Sequence, residues 1–99
     1  MGTRLFSERK VKAFLDALVH KEHISVSEME TTGKNEHRVM VLGKPVIIAV
    51  RHHGEQGIKE PYVHQIINAA AEKYGYPGTP QYDAGRKELK KLARKTIGF

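Results

Sequence analysis

The chain has 99 residues, a formal net charge of +6 and a pI near 9.7, which suits one small basic domain with one modest core. It contains no cysteine, which excludes disulfides, thiolate zinc sites and thiol nucleophiles. Its longest aliphatic run, residues 46–50, is far shorter than the roughly 20 residues of a membrane-spanning helix. Composition therefore predicts a soluble, cytoplasmic protein that neither spans a membrane nor enters a secretory route.

The first predicted element is a helix over residues 8–20. Ser7 can cap it, and apolar residues recur at the helical spacing, at Val11, Phe14, Leu15, Leu18 and Val19. Residues 24–27 alternate apolar and serine side chains, which predicts a first strand, and residues 31–35 have the composition of a polar loop.

A hairpin is predicted next. Residues 38–42 and 46–50 are rich in β-branched side chains, and Gly43 and Lys44 fit a two-residue turn between them. The second of these strands is apolar on both faces, so we expect it at the centre of the sheet. Residues 51–57 are predicted to form an exposed connection.

Two further helices are predicted in the C-terminal part. One begins near Pro61 and ends at Gly75, and the other is capped by Asp83. Residues 76–82 cannot continue a helix. The predicted fold class is therefore α+β, with an α-β-β-β-α core over residues 1–75, a linker over 76–82 and a basic amphipathic helix over 83–99.

The positive charge is concentrated in this last helix. Residues 83–99 hold six bases and two acids, so they carry +4 of the net +6. On a helical wheel the bases occupy one half and the apolar residues the other, which predicts one packed face and one cationic face. A cationic face attracts polyanions, although it is also typical of a helix surface that aids solubility. The six bases are Arg86, Lys87, Lys90, Lys91, Arg94 and Lys95.

Predicted loops contain further bases that could contact phosphates if these loops share an edge. They are Lys34, Arg38, Lys44, Arg51, His52, His53 and Lys59.

The six histidines raise the question of a metal site. His20 and His23 are three residues apart, but no carboxylate joins them at a familiar ligand spacing, so neither a metal nor another cofactor is predicted. His37 follows the polar loop and opens a strand. Its imidazole could take a proton from an RNA 2′-hydroxyl or protonate a leaving oxygen, and the alternative is that it merely hydrogen-bonds the loop.

Residues 7–74 resemble the HicA-type mRNA interferase toxins. The resemblance is carried by His37 at the start of a strand, the Val- and Ile-rich residues 46–50, and His52-His53-Gly54 before the second helix. The family commonly has Gly-Ser before its histidine, where this sequence has Asn35-Glu36. Residues 33–37 and 69–73 also look like parts of double-stranded-RNA-binding domains.

The resemblance implies a double-stranded-RNA-binding-like fold, in which the chain forms a helix, then a three-stranded antiparallel sheet, then a second helix. It implies that His37 is the catalytic residue of metal-independent RNA cleavage, with Lys34, Arg38 and residues 51–59 on the RNA backbone. The basic third helix lies outside the resemblance.

The sequence thus predicts a small nucleic-acid-binding protein, with RNA favoured over DNA. It leaves open whether the protein is also an endoribonuclease of the toxin–antitoxin kind with an antitoxin partner. The alternative is a phage- or bacterium-encoded protein-binding module or inhibitor, whose basic helix meets an acidic partner surface. A small-molecule enzyme is disfavoured because no Gly-rich phosphate loop or catalytic carboxylate pair occurs.

Overall fold

The computed structural model describes residues 4–33, 36–51 and 57–99, in which the chain forms three helices and five strands. The strands form one antiparallel sheet in the order β1-β5-β4-β3-β2. The predicted α+β class is confirmed, and β2, β3 and β4 form a three-stranded antiparallel unit that two short, unpredicted strands extend. In chain order the elements are β1 (Leu5–Phe6), α1 (Glu8–Glu22), β2 (Glu30–Gly33), β3 (Glu36–Val41), β4 (Lys44–Arg51), β5 (Gly57–Lys59), α2 (Glu60–Ala71) and α3 (Pro80–Ile97).

One face of the sheet carries the core, and the other face is open. Val39 and Val41 of β3 and Val46 and Ile48 of β4 are buried, because side chains alternate between the two faces of a strand. Ile47, between two buried neighbours, points to the open face and is 43% exposed. Strand β4 pairs with β3 on one side and β5 on the other, which confirms its predicted central position.

Helix α1 begins where its capping residue predicts. The Ser7 side chain accepts a hydrogen bond from the Lys10 backbone N–H at 3.2 Å, which satisfies one of the free donors of the first turn. The helix continues two residues beyond the predicted end at His20 and closes with His23 in the left-handed region at φ 54°.

The predicted first strand at residues 24–27 is wrong. Only Val26 makes a bridge there, to Val41, and the strand that pairs with β3 is β2, inside the predicted polar loop. The physical reason lies in Ser27, whose hydroxyl accepts the Met40 backbone N–H at 2.9 Å. A side-chain oxygen thus replaces a strand partner, and regular pairing resumes only at Glu30.

The hairpin turn lies one residue earlier than predicted. Leu42 and Gly43 are its central residues, with φ values of 52° and 79°, and Lys44 already belongs to β4 opposite Val41. Positive φ at both central residues is the geometry that matches the twist of two antiparallel strands. The predicted exposed connection over 51–57 is also too long, because Arg51 pairs with Gly57 in the sheet.

The link between α2 and α3 differs from the prediction at both ends. Helix α2 ends at Ala71 rather than at Gly75, and α3 begins at Pro80 rather than after Asp83. Thr79 is the capping residue, and its hydroxyl accepts the Tyr82 backbone N–H at 3.3 Å. Gly75 serves close packing instead of capping, since a Cβ there would lie 2.9 Å from the Thr79 hydroxyl.

Helix α3 packs on α1 and α2 and shares their core through Leu89, Ala93 and Ile97. It runs opposite to α1, because its C-terminal Phe99 packs on Phe6, just before α1, with ring centroids 5.8 Å apart. The C-terminal carbonyls of Gly98 and Phe99 also accept hydrogen bonds from the Arg4 guanidinium. No helix in the described ranges is both long enough and apolar enough to cross a membrane.

Candidate functional site

The predicted cationic side of the last helix is present on α3. Four bases on the side away from the core are exposed, and we call them the cation face: Lys87, Lys91, Arg94 and Lys95. Arg86 and Lys90, predicted with them, are half-buried at the border of this face. The sequence therefore predicted the face correctly but overestimated its width.

Acidic side chains neutralise little of the cation face. Lys91 lies 3.4 Å from the Glu88 carboxylate, a pair in which both side chains are more than 60% exposed. Exposed pairs of this kind contribute little, because water and salt screen them. Among the described residues, no carboxylate lies within 4.0 Å of the other three cations.

The cations of this face follow the helix axis. Lys87, Lys91 and Lys95 are spaced four residues apart, and at a rise of about 1.5 Å per residue their Cα atoms lie about 6 Å apart along α3. Arg94 and Lys95 also lie in the last turn, where positive charge is favourable to the helix dipole. The result is a row of positive charge on a rigid element.

Two of the predicted phosphate contacts are each paired with a carboxylate within the protein. Arg38 is on the open face of the sheet and contacts the Glu30 carboxylate at 2.8 Å. Lys44 follows the hairpin turn and contacts the Glu72 carboxylate at 2.7 Å. These two bases do not join the cation face.

The remaining loop bases are only partly described. Lys59 is half-buried at the end of β5, and the backbone of Arg51 closes β4. The predicted contacts Lys34, His52 and His53 lie outside the described residues, as does the side chain of Arg51.

His37 lies on the helix-covered face of β3, next to the start of α1. Its Nε2 is 3.8 Å from the Glu8 carboxylate, and its Nδ1 is 3.5 Å from the Thr31 hydroxyl on the neighbouring strand. The His37 side chain is only 14% exposed. Glu36, its neighbour, is exposed on the opposite face of the sheet, so the acidic residue that precedes His37 points away from it.

The arrangement around His37 can support acid–base chemistry. An imidazole can donate or accept a proton, and its 3.8 Å separation from the Glu8 carboxylate is too long for a hydrogen bond, so Glu8 does not hold Nε2. Sequence reasoning missed Glu8, because 29 positions separate it from His37 and only the docking of α1 on the sheet joins them. The described residues contain no group of three or more histidines, cysteines and carboxylates that could hold a metal ion.

A third polar cluster lies where α1, α3 and the segment after α2 meet. Tyr74 packs there beside Glu22, Gly85 and Glu88. Burial raises the pKa of the Tyr74 hydroxyl above its usual 10.0, and the negative charges of Glu22 and Glu88 raise it further. This cluster holds α3 in place and faces away from the Glu8–His37 pair, at the other end of α1.

Comparison of the chain with protein-family models, with curated proteins and with solved structures found no match. The resemblance to HicA-type toxins therefore stays a prediction.

Proposed function

We propose that this protein binds nucleic acid, RNA in preference to DNA, through the cation face of α3. The observation that carries the proposal is a contrast in pairing. Arg38 of β3 and Lys44 of β4 each contact a carboxylate within 3 Å, whereas three of the four bases of the cation face have no described carboxylate within 4.0 Å. Aligned cations on a rigid helix, most of them without a described carboxylate partner, suit a ligand with regularly spaced negative charges.

The preference for RNA over DNA rests on the fold and on the family resemblance. The order α1-β2-β3-β4-β5-α2 differs from a double-stranded-RNA-binding-like fold by the short β5, and the antiparallel pairing of β2, β3 and β4 supports that fold. That fold and the HicA-type resemblance are proposals here, and both point to RNA. The binding surface would be α3, which lies outside the resemblance.

The physical cause of binding is the release of counterions from the phosphates. Each phosphate neutralised by a protein cation makes the affinity fall more steeply with salt, by about 0.7 per contact in a double-logarithmic plot for single strands and about 0.9 for B-form duplexes. Four contacts therefore correspond to a slope between about −2.8 and −3.6. A helix face that served only solubility would give no saturable binding.

A pair of charge-matched variants tests the proposal. K87Q/K95Q removes two cations of the cation face, and R38Q/K44Q removes two cations that already have carboxylate partners. Fluorescence anisotropy with labelled RNA and DNA of one sequence, at several salt concentrations, measures affinity and slope. We expect K87Q/K95Q to weaken binding and to make the slope shallower by about 1.4 to 1.8, with R38Q/K44Q close to wild type. Equal losses in both variants, or no binding by wild type, would contradict the proposal and favour the acidic protein partner.

A second candidate function is RNA cleavage by His37. The observation that favours it is the Glu8 carboxylate 3.8 Å from the imidazole, which places two groups that can act as general acid and base side by side. The same RNA, run on a denaturing gel after incubation in EDTA, distinguishes the two functions. Products that form with wild type but not with His37→Ala would add cleavage to binding, and intact RNA in both lanes would leave binding alone.

A further inference from the structure

Among the phenylalanines and tyrosines, all of which lie in the described ranges, Tyr76 alone has its ring in solvent. Of the seven aromatic residues, six are buried or packed against the core, whereas Tyr76 is 82% exposed. It lies in the turn between α2 and α3. Its ring therefore contributes almost nothing to the core.

The backbone that displays this ring is held in place. The Tyr76 carbonyl accepts two hydrogen bonds from Thr79, one from the backbone N–H at 3.1 Å and one from the hydroxyl at 2.6 Å. The Thr79 hydroxyl also caps α3, so the same side chain stabilises both the turn and the start of the helix. Pro77 and Gly78, the latter at φ 92°, complete a tight turn. The ring thus projects from a fixed point rather than from a loose loop.

Tyr76 lies at the start of the helix that carries the row of positive charge. Tyr76 precedes the capping residue of α3 by three positions, and Lys87 follows that residue by eight, which is about 12 Å along the helix. A strand of a few nucleotides spans this distance, since binding sites for single strands range from about 4 to 16 nucleotides. An aromatic ring at one end and cations along the groove are the two elements that proteins combine to bind single strands.

We propose that Tyr76 stacks on an unpaired base, so that the nucleic acid bound by the cation face is single-stranded or carries a single-stranded loop. The inference rests on the proposed function and specifies its ligand. Every base has a flat π face, so stacking on tyrosine binds single strands with little sequence preference. The bases of an intact duplex are stacked on one another and offer no face to the ring.

The experiment compares Tyr76→Ala and Tyr76→Phe with wild type in the full chain. The probes are a short single-stranded RNA and the same strand annealed to its complement with blunt ends. We expect Tyr76→Ala to bind the single strand about 5- to 150-fold more weakly and the duplex like wild type. Tyr76→Phe keeps the flat ring and should retain single-strand binding. Because no charge is lost, the salt slope of Tyr76→Ala should equal that of wild type.

The outcomes separate this inference from the function on which it rests. Two results for Tyr76→Ala would overturn the stacking role: unchanged affinity for the single strand, or an equal loss of affinity for the single strand and the duplex. In either case K87Q/K95Q still tests the cation face. Loss in both Tyr76→Ala and Tyr76→Phe also overturns it, because the hydroxyl would then be the binding group. Absence of any binding by wild type overturns the inference together with the proposed function. Thermal unfolding of each variant checks that the fold is intact, which we expect at a position 82% exposed.

Discussion

Replacing Gly85 with alanine tests how α3 is docked, and with it the position of the cation face. Alanine is the better helix former by about 1 kcal/mol, so the change would stabilise an exposed helix. In this chain Gly85 is buried against Tyr74, and a Cβ at that position would lie 2.5 Å from Tyr74 Cδ2 and 3.0 Å from Tyr74 Cβ. The second of these atoms is close to the backbone and cannot swing away.

The two effects have opposite signs, and their sizes decide the outcome. Overpacking a core site costs about 1–3 kcal/mol, against the gain of about 1 kcal/mol in helix propensity. We expect Gly85→Ala to lower the free energy of unfolding by up to about 2 kcal/mol. In a chain that already carries Tyr74→Ala the ring atoms Cδ2 and Cγ are gone and only the Cβ of residue 74 remains, at 3.0 Å. The same change should then raise that free energy by up to about 1 kcal/mol, or the melting temperature by up to about 4–8 °C.

Urea denaturation of wild type, the two single variants and the double variant completes a thermodynamic cycle. The coupling between the two positions is expected at about 1–3 kcal/mol. A Gly85→Ala change that stabilises both backgrounds equally would refute the packing explanation. The nucleic-acid affinity of Gly85→Ala gives a second result, since a displaced α3 moves the four cations of the cation face together.

Two further predictions concern the sheet and the Tyr74 cluster. Ile48→Ala should cost about 2–5 kcal/mol in urea denaturation, because Ile48 is fully buried, whereas Ile47→Ala, on the open face, should cost far less; equal costs would contradict the assigned strand faces. Stability should fall as the pH rises above 10.0 and through the raised pKa of Tyr74, because the folded state favours the neutral hydroxyl. Tyr74→Phe removes the titrating hydroxyl. Unfolding curves recorded below and above that pH show whether the variant loses less stability than wild type at alkaline pH.

The sequence was informative wherever the determining contacts lie within a few residues. Ser7 and the spacing of Val11, Phe14 and Leu18 predicted the start and the buried face of α1, because capping and helical periodicity are local. Strands β1 and β5 have only two and three residues, which is too few for any periodicity. They exist through pairing with each other, Leu5 opposite Lys59, more than 50 positions apart.

The same distinction applies to the candidate sites. The helical wheel identified the bases of α3, but no local pattern indicated that Glu30 would pair with Arg38 or Glu72 with Lys44. The first pair depends on the register of β2 on β3, and the second on where α2 ends against the hairpin. The start of the strand at Glu30 rather than at residue 24 could not be predicted either, because it depends on the Ser27 hydroxyl, which takes the place of a backbone partner.

The direction of α3 connects the two candidate sites. Tyr76 lies before the first turn of α3, and Arg94 and Lys95 lie in its last turn. The packing of Phe99 on Phe6 puts that last turn at the end of the domain where α1 begins. Glu8, the first residue of α1, contacts His37 at the same end. A strand bound from Tyr76 along the cation face would therefore run toward the end of the domain that holds the Glu8–His37 pair, although His37 itself belongs to the sheet and contributes nothing to the face. Binding and any cleavage thus depend on different elements, so His37→Ala should leave affinity intact even if it abolishes cleavage.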